Sequence, residues 1–375
     1  MGRNLISRCI LLIFVFFFLE GFAQELPIVE RIRSLEKQRG YYPKKERVFH
    51  EIVGAELLYW KANVDGVAYA TTSKLVEAAG ALGNLSTNVK TRTPHFEYDP
   101  GFRLILGVQS PFDLFDVVFV WTRFCTEGRD QAHGTLVPEA PRPGDKIIFD
   151  DIGLIKNLTS IPNHAKTECH FKGNLLDLQL GRGMELSEKF LFRPYFGVRA
   201  IWADIDWKIL LTRDFILPEP FGQESTRLKI DNDFHAVGGL FGVIVDWKLP
   251  KGFGIQARGA GALVFGRTEE ATRQDFIFVP AFSQTRIEQD YKAHNSFHSV
   301  KGLWELFAGI YWQSKVPKPK KYRGRIKDFR MRLTAGYEFQ QWPMMAQKTN
   351  TQFSRERERF SIGFEGFTGG VSIIY

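Results

Sequence analysis

The chain has 375 residues, 44% hydrophobic and 25% charged, a globular balance that excludes a wholly disordered, collagen-like or low-complexity polypeptide. A mean hydropathy of −0.19 excludes a polytopic helical membrane protein, and no apolar run after residue 19 reaches the length of about 18 that a spanning helix needs. The formal charge of +8, from 50 basic and 42 acidic residues, is spread thinly, so nucleic acid is not an expected partner.

Residues 1–23 have the layout of an export signal. Arg3 and Arg8 form a basic start, Ile10 to Leu19 form an unbroken apolar stretch too short to span a bilayer, and Gly21-Phe22-Ala23 puts small residues at a cleavage position before Gln24. Residues 24–48 are polar, with Ile28, Ile32 and Leu35 on one helical face, and predict a short amphipathic helix in a periplasmic segment.

From residue 49 the period changes from 3.6 to 2, and 14% aromatics with 34 glycines fit an aromatic-rich β protein. In 101–109, Phe102, Leu104, Leu106 and Val108 oppose Arg103, Gly107 and Gln109. In 114–124, Phe115, Val117, Phe119 and Trp121 oppose Asp116 and Thr122. In 190–202, Phe190, Phe192, Phe196, Val198, Ala200 and Trp202 oppose Arg193, Tyr195, Gly197 and Arg199. In 300–312, Val300, Trp304, Leu306, Ala308, Ile310 and Trp312 oppose Lys301, Glu305, Gly309 and Tyr311. In 328–340, Phe329, Met331, Leu333, Ala335, Tyr337 and Phe339 oppose Arg330, Arg332, Thr334, Gly336, Glu338 and Gln340. Such alternation also fits a soluble sandwich. Runs near or beyond ten residues, with a polar face mixing Arg, Glu, Gly and Tyr, favour strands that cross a bilayer around a wet lumen.

The expected strands are 50–72, 86–109, 113–125, 168–181, 189–206, 228–248, 253–266, 297–313, 327–342 and 366–375, an even number with both termini on one side; twelve stays open if a long segment hides a hairpin. Short connections at 110–113, 181–189, 249–252 and 314–325 alternate with long polar ones at 73–85, 125–167, 207–226, 267–296 and 343–363, the pattern of short periplasmic turns and long outer loops. The expected fold is therefore all-β, an antiparallel up-and-down transmembrane β-barrel over 49–375. The last residues, GFTGGVSIIY, end an alternating strand on an aromatic.

Five stretches carry a resemblance to the MOMP-like outer-membrane porins of Legionella and chlamydia-related bacteria: GAELLYWKANVDGVAYA (54–70), HFEYDPGFRLILGV (95–108), NLLDLQLGRGMELSEKFLFRPYFGVRAIW (174–202), RMRLTAGYEFQQW (330–342) and the C-terminal ten residues. The resemblance covers most of the chain after residue 50. It implies a bacterial outer-membrane location, export through the Sec pathway and a diffusion-pore role. It brings no catalytic residues. Porin relatives often form trimers, although no residues here mark a subunit interface. The chain departs from chlamydial MOMP in keeping only two cysteines after the signal.

Arg103, Arg193, Arg199, Arg258, Lys301, Arg330 and Arg332 fall on the polar faces, with Glu56, Asp116, Asp177, Asp246, Glu305 and Glu338. They are the candidate pore-lining residues. Two arrangements stay open: charges that pair and fill the lumen, and charges that line a channel and tune its selectivity. Trp121, Trp202, Trp247, Trp304, Tyr337 and Tyr375 are candidates for interfacial girdles. Cys125 and Cys169 flank the segment 126–168, and a disulfide closing it is expected to contribute roughly 4 kcal/mol, with two separate thiols as the alternative. The histidines show no metal-binding spacing, and no GxSxG, Walker A or dinucleotide motif occurs, so no enzyme activity, cofactor or metal is expected. The expected function is passive diffusion of small hydrophilic solutes through the outer membrane. The alternative is an adhesin or structural surface protein whose loops bind a host or neighbouring ligand.

Overall fold

The computed structural model describes residues 50–76, 86–110, 115–133, 145–148, 164–213, 223–279, 286–314, 330–349 and 357–374. The expected signal peptide and N-terminal helix, and Tyr375, lie outside them.

Ten antiparallel strands close a barrel. They are β1 (His50–Val64), β2 (Tyr98–Gln109), β3 (Phe115–His133), β4 (His164–Arg182), β5 (Phe190–Arg213), β6 (Gln223–Lys248), β7 (Phe253–Val279), β8 (Ile287–Gln313), β9 (Arg330–Thr349) and β10 (Arg357–Ile374). Each pairs with the next in sequence. The ring closes where β10 pairs with β1, from Ile52 opposite Ile374 to Val64 opposite Ile362. Ten strands, and not twelve, make the ring. The remaining strands are short: Met184–Ser187 pairs with the start of β5, His95–Phe96 pairs with β3, and Ala70–Val76, Ser86–Arg92 and Asp145–Ile148 form a small separate sheet. The tight turn between β6 and β7 places Lys251 and Gly252 at positive φ, and a Cβ at Gly252 would lie 2.5 Å from the Gln313 carbonyl oxygen.

Closure leaves each strand with one outer and one inner face. Over the half nearer the termini, the outer face is apolar and exposed: Val53, Leu57 and Tyr59 on β1; Phe102, Leu104, Leu106 and Val108 on β2; Val117 and Phe119 on β3; Leu178 and Leu180 on β4; Phe196, Val198 and Trp202 on β5. The belt continues through Phe241 (65% exposed), Leu263, Leu306 (60%), Leu333, Tyr337, Phe339 and Phe367. An exposed apolar band around a closed sheet is the signature of a bilayer-spanning barrel, since every backbone polar group is satisfied within the wall. On β7 the belt runs from Phe253 to Phe265, and at about 3.3 Å per residue with a tilt near 40° this rises about 30 Å, enough for a hydrocarbon core. Trp202, Trp247, Trp304 and Tyr337 are exposed on this belt as expected, whereas Trp121 is partly covered, edge-on to Phe102 at 5.2 Å between ring centroids.

The strands run further than expected. Most of 207–213, 267–279 and 287–296, read as loop from sequence, is ordered sheet that continues beyond the belt. The reason is a change of phase, seen on β5. Phe196, Val198 and Trp202 face outward in the belt; above it Ile201, Ala203, Ile205, Trp207, Ile209 and Leu211 face inward and are buried. Parity is unbroken, but the apolar residues move to the other face. On β6 the same switch separates outward Val237 and Phe241 from buried Leu228, Ile230 and Phe234. Outside, this upper wall carries exposed ion pairs such as Lys229–Asp231 (2.7 Å), Arg273–Asp275 (3.0 Å) and Lys292–Asp290 (2.7 Å), each worth little individually. The protein thus has a lipid-facing lower section and a water-facing upper turret with its own apolar core.

The expected disulfide is absent. Cys125 is exposed on the outer face of β3 and Cys169 is buried on the inner face of β4, and both are free. Cys169 sits opposite Gly128, and Cys125 opposite Lys172. The wall of the barrel lies between the two thiols, so no side-chain rotation joins them.

The two-section reading predicts where charge is tolerated. Phe241→Arg and Leu306→Arg should each lower the unfolding free energy by about 2–4 kcal/mol in lipid vesicles, measured by urea titration. Ala271→Arg, on the exposed outer face of the turret, should change it by less than about 0.5 kcal/mol. Equal losses at all three positions would contradict the boundary.

Candidate functional site

The inner face at belt level is built from charge. Glu56 projects from β1, Arg103 from β2, Asp116 from β3, Asp177 from β4, Arg193 and Arg199 from β5, Asp246 from β6, Arg258 from β7, Glu305 from β8, and Arg332 and Glu338 from β9. Strand parity places them all inside, opposite the lipid-facing residues on the same strands.

Glu338, 1% exposed, is the hub. Its Oε1 accepts hydrogen bonds from Arg103 Nη2 (2.7 Å) and Gln340 Nε2 (3.1 Å). Its Oε2 accepts from Arg103 Nη1 (3.1 Å), Arg258 Nη2 (2.9 Å) and Thr368 Oγ1 (3.1 Å). Arg103 also donates to Glu56 Oε2 (2.6 Å) and Thr122 Oγ1 (3.0 Å), and Arg258 lies 3.7 Å from Glu56 Oε1. Two guanidinium groups and two carboxylates therefore alternate around a square. Beside it, Arg199 forks onto Asp177 (2.7 and 2.6 Å) and reaches Glu305 (2.5 Å). Nearer the turn end, Arg332 forks onto Asp246 (2.8 Å to each oxygen) and Arg193 pairs with Asp116. Rings pack against two of the guanidinium groups: the Arg332 guanidinium carbon lies 3.7 Å from the Tyr311 ring centroid, and that of Arg258 lies 5.0 Å from the Phe307 centroid.

Of the candidate lining residues, Arg330 and Lys301 fall outside this arrangement: Arg330 begins β9 at the turn-end rim and is exposed. Lys301 faces inward higher up, its Nζ donating to the Met345 carbonyl at 2.8 Å and lying 4.0 Å from the centroid of the Phe234 ring.

Above the charges lies an aromatic layer that sequence reading missed. Phe364 contacts Phe171 (4.9 Å between centroids), Phe124 (5.3 Å), Trp342 (5.4 Å) and Trp60 (6.4 Å). All five rings are buried. They come from β1, β3, β4, β9 and β10 and so reach across the barrel. Two relays tie them to the charges. Trp60 Nε1 donates to Thr368 Oγ1 (3.1 Å), which donates to Glu338. Trp342 Nε1 donates to Gln340 Oε1 (3.3 Å), whose amide donates to Glu338. The signal for this layer was present as apolar residues on the inner parity, but it reads as the end of a strand unless a phase change is considered. Among the described residues no group of three or more His, Cys, Asp or Glu has the arrangement of a metal site.

Glu338→Gln removes the charge that holds Arg103 and Arg258 side by side. It should lower stability in urea titrations by about 3–5 kcal/mol, the cost of leaving a buried partner uncompensated. Lys292→Ala, on the turret surface, should change it by less than about 0.5 kcal/mol.

Solved structures with similar arrangements are remote. A FadL homologue of Pseudomonas aeruginosa is 9% identical over 87% of this chain and 90% of its own, with a TM-score of 0.23. The deltaS2S3 mutant of the monoaromatic hydrocarbon channel TodX is 7% identical over 88% and 90%, with a TM-score of 0.21. The toluene transporter TodX of Pseudomonas putida is 8% identical over 89% and 90%, with a TM-score of 0.19. Likenesses this weak say nothing about what crosses the barrel. No curated protein sequence matches the chain. The family profile described as Legionella pneumophila major outer membrane protein precursor, however, matches residues 41–375, the whole of the barrel. The closed ten-strand wall, its lipid belt and this match agree: the chain belongs to the Legionella major outer membrane protein family and is a protein of the bacterial outer membrane.

Proposed function

We propose that the barrel is a narrow pore for small hydrophilic solutes, closed at rest by its aromatic layer and acting without chemistry or cofactor. The observation that carries this reading is the contrast between the two halves of the interior. Paired charges are a costly filling, because replacing a buried ion pair with apolar side chains of similar volume is often neutral or stabilising. This chain builds an apolar cluster in the turret, around Trp207, Ile209 and Phe234, beside a smaller set of buried polar side chains such as Thr226 and Glu270. It nevertheless places Arg103, Asp116, Asp177, Arg193, Arg199, Arg258, Glu305, Arg332 and Glu338 inside the section that crosses lipid. Passage needs polar groups there, and stability alone does not.

In this reading solutes approach along the charged section, and the rings around Phe364 are the barrier. The relays from Trp60 and Trp342 to Glu338 couple the barrier to the charges below it, so a solute that competes for Glu338 or Arg103 also loosens the rings. A second reading, a surface protein that displays partner-binding loops, is favoured by the turret itself: β6, β7 and β8 run 26, 27 and 27 residues, well beyond the length needed to cross lipid.

Planar-bilayer recordings separate the two. The native protein should give small, infrequent conductance steps, and the Trp342→Ala/Phe364→Ala double variant larger and more frequent ones. Silence from both, with each folded by heat-modifiable gel mobility, would overturn the pore and favour display.

A further inference from the structure

At the loop end of the turret, the last residue of β3 and the first of β4 are both histidines. His133 stands directly opposite His164 in the β3–β4 register. Their neighbours Ala132 and Ala165 are buried inside, so parity turns both imidazoles to the outer, water-facing side of the wall. The ring centroids are 4.3 Å apart with an interplanar angle of 36°, and the two Nδ1 atoms are 3.0 Å apart.

Two ring nitrogens at this distance share something between them. One possibility is a single proton, with one ring donating to the other. The other is a metal ion. At metal–nitrogen distances of about 2.0–2.1 Å, two cis ligands of a square or octahedral ion are about 2.9 Å apart and those of a tetrahedral ion about 3.3 Å apart. The observed separation lies between the two, so both nitrogens would bind one ion with only a small movement of the rings. Among the described residues, the neighbouring side chains do not oppose this. Gln131 faces Lys166 in the next outward pair, and the Lys166 ammonium is held by Glu168 at 2.9 Å. Thr212 of β5 is the outward neighbour of His164 on its other side.

We infer that His133 and His164 form a two-imidazole chelate for a divalent late first-row transition ion at the outer mouth of the barrel. Both ligands lie on ordered, paired strands, which fixes their spacing before the ion arrives. Imidazole suits zinc and copper, and the general order of stability makes copper(II) the tightest. Among the described residues no third histidine, cysteine or carboxylate joins the pair. Binding requires the ring nitrogens that face the ion to be unprotonated, so protons compete with it. The inference does not rest on the pore reading, because the pair lies outside the lumen.

The test uses the full chain refolded in detergent and titrated with copper(II), read by calorimetry and by electron paramagnetic resonance. One tight site should appear, with hyperfine structure from two nitrogens and displacement by excess zinc(II). His133→Ala and His164→Ala should each weaken it by more than roughly tenfold, since losing a direct ligand costs more than the 10–100-fold of a lost outer-shell partner. His294→Ala, on the turret wall away from the pair, should leave it unchanged. Each variant is checked for the native heat-modifiable mobility. A spectrum with one nitrogen, or an affinity that survives either single substitution at 133 or 164, would overturn the chelate and leave the shared proton as the reason for the close approach.

Discussion

A closed sheet in hydrocarbon has no edge, so every backbone donor and acceptor finds its partner within the wall. That closure forces the rest of the architecture. Once β10 pairs with β1, every side chain is committed to one of two sides, and neighbouring residues never share a side. What the chain can still choose is which chemistry goes on which side, and on β5 and β6 it changes that choice once along the strand. In the belt, apolar residues meet lipid and charges meet inside. Above the belt, water is outside, and on β5 and β6 the apolar residues turn inward beside buried polar side chains of β6 and β7 such as Thr226 and Thr272. The upper end of the belt is therefore marked by a change of composition within continuous strands, and no break in the sheet is needed.

The charged interior is held together by geometry that only closure provides. Glu56, Arg103, Arg258 and Glu338 come from four different strands, separated by as many as 282 positions (338 − 56). A slip of one residue on any of these strands would send its charge to lipid. Glu338 is the point at which the sections meet: it holds two arginines of the membrane section and receives the relays from the indoles of Trp60 and Trp342. A change in the pairing of this carboxylate is thus felt by the rings above it. The same coupling makes the interior stiff, because buried carboxylates and guanidinium groups cannot separate without leaving each other unpaired.

Much of this was legible before any coordinates. The alternation in 101–109, 190–202 and 328–340 identified the inner and outer faces correctly, and the strand number followed from counting such segments. Twelve of the thirteen candidate lining residues face the interior, because parity propagates reliably along a strand. Arg330 failed because it sits where the strand begins and the wall no longer encloses it. The turret was missed for a related reason. Ile201 to Leu211 keeps a period of two, but with the apolar residues on the opposite parity from Phe196 and Trp202, and a one-residue change of phase resembles the end of a strand. The disulfide failed on the same rule: proximity of Cys125 and Cys169 along the hairpin was visible, but their opposite parity decided the outcome. Which charge pairs with which required the register across several strands, information that no single segment carries.

The central claim is that β5 keeps one parity from end to end while its outer surroundings change from lipid to water just above Trp202. Spin labels placed one at a time along 190–212, on a background with Cys125 and Cys169 replaced by serine, test it in lipid vesicles. Accessibility to oxygen, which dissolves in lipid, should peak at even positions up to 202. At 204, 206 and 208 accessibility to a water-soluble nickel chelate should take over, and odd positions from 195 to 211 should be protected from both. High oxygen accessibility at 206 and 208, or a loss of the two-residue alternation above 202, would contradict the account.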